Sequence, residues 1–108
     1  MAKNEMLPGT LGMLILRVLQ PGALHGYAIA QRIHQLSNEL LQVEEGSLYP
    51  ALQRMLLKGW VLGDWGVSET NRKVRFYRLT TAGRRQLQSE MNDFDRVLTG
   101  IQAVLEKA

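Results

Sequence analysis

From Leu87 to Leu105, six apolar residues recur at steps of four, three, four, three and four: Leu87, Met91, Phe94, Leu98, Ile101 and Leu105. This is a heptad seam of nearly three repeats, widened by Val97 and Val104. A helix carrying it, capped by Thr80 or Thr81 and running to the C-terminus, has roughly 26 residues and is about 39 Å long. Such a rod outreaches any compact body that roughly 80 preceding residues can build. The seam therefore needs a partner, and the same helix from a second copy is the simplest one. The alternative is a helix folded back over its own domain.

The segments before the seam are short. Residues 8–20 place Leu11, Leu14, Ile15, Val18 and Leu19 on one helical face, with Pro8 tolerated in the first turn and Pro21-Gly22 as the stop. A second helix fits from His25 to Ser37, with Ile29, Ile33 and Leu36 on one face and Asn38 ending it. Gly26, near its start, lets another backbone come close. A third helix fits from Ser47 to Lys58. Ser47 is its expected N-cap, Pro50 falls in the first turn, and Gly59 is its stop. The pattern then changes. Val61–Trp65 and Val74–Leu79 are β-rich and flank a polar stretch, which reads as a hairpin. Trp65, Phe76 and Tyr77 are expected to pack between hairpin and helices.

The charges refine this outline. The net charge of the 108 residues is only +3, but the twenty residues between Glu69 and Glu90 hold no acid and six bases: Arg72, Lys73, Arg75, Arg78, Arg84 and Arg85. The remaining 88 residues sum to −3. A concentrated basic patch attracts polyanions by steering and counterion release. Its plain alternative is a solvated face.

Three short helices followed by a two-stranded hairpin form a winged helix-turn-helix, a mainly α fold with a small β-hairpin. The third helix of such a fold enters the DNA major groove, and the hairpin tip reaches the neighbouring backbone or minor groove. Residues 1–80 are thus read as the winged-helix domain and 81–108 as a dimerisation helix. The exposed side of the third helix would carry Ser47, Tyr49, Pro50, Gln53, Arg54 and Lys58. Gln and Arg suit base edges, while Ser, Tyr and Lys suit phosphate. Asn71, Arg72 and Lys73 would form the wing tip, with Arg75 beside them. Tyr27 stands at the start of the second helix, whose positive end can take a phosphate oxygen. Packing is the alternative for Tyr49, and a solvated helix face for Arg54 and Lys58. Glu44 and Glu45 suit the helix dipole and would repel phosphate, so they are read as orienting the third helix.

Other classes fit poorly. Apolar residues make up 45% and charged residues 21%, as in folded chains. No cysteine is present, which excludes disulfide scaffolds, thiolate zinc, iron–sulfur clusters and a Cys nucleophile, and fits a reducing, cytoplasmic setting. No apolar run approaches the roughly 18 residues of a membrane span. The N-terminus MAKNEMLPGT lacks the apolar region of a signal peptide. His25 and His34 lack zinc spacing, and Asp93 and Asp95 point to different sides of a helix. No catalytic residue, metal or cofactor is expected. Two non-enzymatic alternatives stand beside DNA binding: a winged helix whose basic wing docks an acidic protein, and a dimer that only sequesters a ligand.

Four segments together resemble the PadR family of bacterial transcriptional regulators: LPGTLGMLILRVL, HGYAIAQRI, EEGSLYPALQRMLLKGW and RKVRFYRLTTAGRRQL, within residues 7–87. The combination of Gly46–Leu52 with Tyr77–Gly83 is the specific part. The resemblance implies a homodimeric winged-helix repressor of the compact class, whose C-terminal helices pack against the partner protomer. It implies a pseudo-palindromic operator in double-stranded DNA. It also implies release by a small aromatic effector between the C-terminal helices, where Phe94 matches a platform position that often carries Trp. Core packing on the seam explains Phe94 without a ligand. Short relatives often lie beside permease genes, which points to control of transport.

Overall fold

The computed structural model describes residues 9–108; Pro8, expected in the first helical turn, lies outside them. Helices α1 (Thr10–Val18), α2 (Gly26–Leu36) and α3 (Glu45–Leu57) precede a hairpin of β2 (Val61–Val67) and β3 (Lys73–Leu79), and α4 (Thr81–Lys107) closes the chain. A two-residue strand, β1 (Leu24–His25), pairs antiparallel with β3, so the sheet has the order β1-β3-β2. The sequence pattern missed β1, because two residues are too few to show alternation.

The helices form because their apolar residues share one face, and those faces meet in one core. Ile15, Leu16 and Leu19 from α1 and its C-terminal turn, Ile29 and Ile33 from α2, and Leu48, Leu52 and Met55 from α3 are buried together. The base of the hairpin contributes Val61, Tyr77 and Leu79. Residues two apart on a strand share a face. Lys73, Arg75, Tyr77 and Leu79 therefore line one side of β3, opposite Val67, Trp65, Gly63 and Val61 of β2. Near the base that face is core. Toward the tip it runs past the helices and opens to solvent.

This pleat corrects the expectation for Trp65. The side chain is on the core-facing side but beyond the core's edge, and it is 67% exposed. Tyr77 is buried as expected, and Phe76 is half-buried on the opposite face, edge-on to His25 at 5.5 Å.

Helix α3 begins two residues before the expected start. Its N-cap is Glu44, with no side-chain cap bond, and Ser47 lies inside the first turn with its N–H donating to the Glu44 carbonyl at 3.0 Å. An acid at the cap and another at Glu45 favour the earlier start through the dipole. Pro50 is therefore deeper in the helix than expected. It denies the Gly46 carbonyl its usual donor, and Gly46 is exposed. The C-terminal stop is as expected. Gly59 takes φ +76°, the Trp60 N–H donates to the Met55 carbonyl at 3.0 Å, and the Gly59 N–H donates to that of Leu56 at 3.1 Å. These two bonds are the glycine-dependent Schellman closure.

Helix α4 is clamped at its root. The Thr80 N–H donates to the Trp60 carbonyl at 3.0 Å, and the Thr80 hydroxyl donates to the Gly59 carbonyl at 2.7 Å. The same hydroxyl caps the helix by accepting from the Gly83 N–H at 3.0 Å. A side chain at Gly83 would collide with the Trp60 carbonyl oxygen, so helix and strand touch backbone to backbone. Leu87 is only 2% exposed and belongs to the chain's own core, not to the free part of the seam. Beyond it the helix passes α1 and leaves the body. Leu98 is 38% exposed and Val104 64%.

Candidate nucleic-acid interface

The candidate surface is built by three elements, and a cleft lies between them. Helix α3 buries Leu48, Ala51, Leu52 and Met55, which leaves Ser47, Tyr49, Pro50, Gln53, Arg54 and Lys58 exposed. All six expected residues of this helix are therefore on the surface. Lys58 sits at the far end, with Nζ 4.9 Å from the Trp60 ring centroid. Gln53 and Arg54 make no side-chain bond among the described residues, so both polar ends are free for an outside partner.

Tyr49 faces α2. Its ring covers Gly26, where a Cβ would lie 2.6 Å from the phenol oxygen. The close approach expected at Gly26 is real, but the neighbour is a side chain and not a backbone. Burial raises the Tyr49 phenol above its ordinary pKa, and Glu45 and then Tyr77 add to the effect. The hydroxyl therefore stays protonated at neutral pH and can donate. Tyr27 stands beside it in the first turn of α2, exposed. The cap residue of that helix, His25, offers no side-chain bond to the first-turn amides.

The wing supplies the positive charge. Its turn is closed by the Ser68 N–H donating to the Arg72 carbonyl at 2.8 Å and the Asn71 N–H donating to the Ser68 carbonyl at 2.9 Å. Asn71 takes the left-handed conformation at φ 62°, which asparagine tolerates better than most residues. Arg72 and Lys73 are exposed and have no carboxylate partner among the described residues. Lys73 Nζ is 5.2 Å from the Trp65 ring centroid, so the exposed indole steadies the lysine. Arg75 is half-buried, its guanidinium 5.9 Å from the Tyr77 ring centroid.

Between wing and helices lies an open cleft of about 720 Å³, lined by Tyr27, Tyr49, Trp65, Arg72, Lys73 and Arg75 among others. Four of the expected DNA-contact residues besides Tyr49 thus share it. Trp65 was expected as packing and not as part of this site, and Gly63 was not singled out from the sequence. Counting by twos from Tyr77 and Arg75 across the hairpin is the signal that would have found them.

The basic tract does not form one patch. Arg78 is on the other face of β3, paired with Asp64 at 3.4 Å. Arg84 and Arg85 are on α4, separated from the tip by the seven residues of β3, about 20 Å at the rise of a strand. The two histidines have structural uses: His34 donates a ring N–H to the Leu41 carbonyl at 3.0 Å, and His25 packs on Phe76. Among the described residues no cluster of His, Asp or Glu could hold a metal ion, and no helix is long and apolar enough to cross a membrane.

Known proteins share this fold. A transcriptional regulator from Clostridium thermocellum superposes with a TM-score of 0.81 at 26% identity, covering 88% of this chain and 92% of its own. A PadR-like transcriptional regulator from Bacillus cereus gives 0.78 at 27% identity, covering 95% and 98%. Bacillus subtilis PadR, solved in complex with operator DNA, shares the fold with a TM-score of 0.68 at 23% identity, over 77% of this chain and 47% of its own. Residues 15–89 match the transcriptional regulator PadR-like family, a span that contains every residue lining the cleft, and the chain belongs to that family.

Proposed function

We propose that the chain is a sequence-specific DNA-binding repressor that acts as a homodimer on a pseudo-palindromic operator. The observation that carries this reading is the cleft that brings Tyr49 of α3 to the wing's unpaired cations, while Gln53 and Arg54 are exposed on the same helix outside it. Gln53 and Arg54 read base edges, while Arg72, Lys73 and Arg75 hold phosphates. Tyr49, Ser47 and Tyr27 flank the groove-facing helix, with Pro50 and Lys58 at its edges and Asn71 shaping the tip.

Met91, Phe94, Leu98, Ile101 and Leu105 pair the two copies along α4. Each is open or half-open in the single chain, which is costly for such side chains in water. Pairing presents two α3 helices to half-sites about one DNA turn, roughly 34 Å, apart or a multiple of it. Occupancy of the operator then blocks transcription. An aromatic effector acting between the paired helices would meet Phe94.

Selection of genomic fragments by the purified protein, followed by binding at rising salt, tests the proposal. A recurrent inverted repeat bound far more tightly than random duplex is the expected result. Weak, sequence-blind binding would instead support a wing that docks an acidic protein.

A further inference from the structure

We infer that Gly63 positions Arg75, and that Arg75 so held forms a seat in the wing cleft for one backbone phosphate of duplex DNA. The inference rests on the DNA-binding reading and adds a residue that has no polar side chain. Gly63 pairs with Tyr77 and Trp65 with Arg75, so all four share the face toward the cleft. Glycine weakens a strand and needs a reason there. No turn supplies one, since Gly63 lies within β2 and is not among the residues with positive φ.

The reason is the neighbour. A Cβ on Gly63 would lie 2.9 Å from the Arg75 Cζ and 3.0 Å from its Nη2. The guanidinium occupies the space a side chain would take and is also within reach of the Tyr77 ring. Its Nε is closed off from solvent and has no acceptor, while no carboxylate pairs with the group among the described residues. The Nη atoms remain for a ligand. The neighbouring charged groups in the cleft are Arg72 and Lys73, with Glu69 at the turn. A fixed planar donor among cations suits an oxyanion, because guanidinium and phosphate match in geometry. The cleft opens beside Tyr49 of α3, where a bound duplex would place its backbone.

The test compares wild type, Gly63→Ala, Arg75→Ala and the double variant. Anisotropy of a short random-sequence duplex is measured against salt, and thermal melting is followed in parallel. Gly63→Ala should flatten the log–log salt slope by about 0.9 although it removes no charge, Arg75→Ala by the same, and the double variant no further. In the Arg75→Ala background, where the space is free, Gly63→Ala should raise the melting temperature, as alanine suits a strand better than glycine, and with Arg75 present it should raise it less. A wild-type slope in Gly63→Ala, additive slope losses, or an equal melting shift in both backgrounds overturns the positioning role. Absence of salt-dependent DNA binding by the wild type overturns the DNA-binding reading and the phosphate seat, while the melting cycle still decides whether Gly63 is reserved for Arg75.

Discussion

At the scale of single residues, glycines mark where this chain is packed most closely. Gly83 is the clearest case. The atom its Cβ would strike is the carbonyl oxygen of Trp60, which is already fixed by the Thr80 N–H. A flexible side chain could yield, but this backbone cannot without loosening the root of α4. Gly83→Ala should therefore cost about 1–3 kcal/mol despite alanine's better helix propensity, measured by chemical denaturation. An unchanged midpoint would show that α4 can lift from β2 at little cost. None of this is readable from the residues, because a close approach between Gly83 and Trp60 needs the third dimension. The two ends that a sequence does announce are local: Gly59 in the left-handed stop and Thr80 at the cap. Ser47 is misleading for a related reason. A good capping side chain competes with an equally good dipole partner one turn earlier, and Glu44 with Glu45 prevails.

At the scale of elements, the proposed function divides the labour between α3 and the wing. Gln53→Ala or Arg54→Ala should cost about 1–3 kcal/mol on the cognate operator and little on random duplex. Equal loss on both would reassign the residue from base edges to phosphate. Arg72→Ala with Lys73→Ala should weaken every sequence alike and flatten the salt slope by about 0.9 for each phosphate no longer neutralised. A slope unchanged from wild type would take the wing tip out of the interface. The order of elements is legible because helical and strand periods differ so plainly in this chain. The exposed face of α3 follows directly, since its buried residues occupy the complementary positions. The wing is half legible. Arg72 and Lys73 announce themselves by charge, whereas Trp65 looks like core. Its parity is that of a core residue, and only the length of the hairpin relative to the helices puts it outside.

At the scale of the whole molecule, the unfinished surface is the far part of α4. Leu98 is 38% exposed, so a charge there does not violate the chain's own core. Leu98→Asp should give a folded monomer that no longer binds its operator, seen by sedimentation and anisotropy together. A stable monomer with undiminished operator affinity would remove dimerisation from the mechanism. The heptad spacing makes this seam visible, yet it overstates the free surface by one residue. Leu87 is in register with the seam but is used by the core, because the first turns of α4 are part of the body.

The clamp at the root of α4 has a mechanical meaning. Thr80 and Gly83 fasten the helix to Trp60, which is where β2 departs toward the wing. Helix and hairpin therefore turn as one rigid piece, like the handle and blade of a tool, with a handle about 40 Å long. In a dimer gripped by its handles, the crossing angle of the two α4 helices sets the separation of the two blades. Seam residues that never approach the double helix would then decide which operator spacing fits.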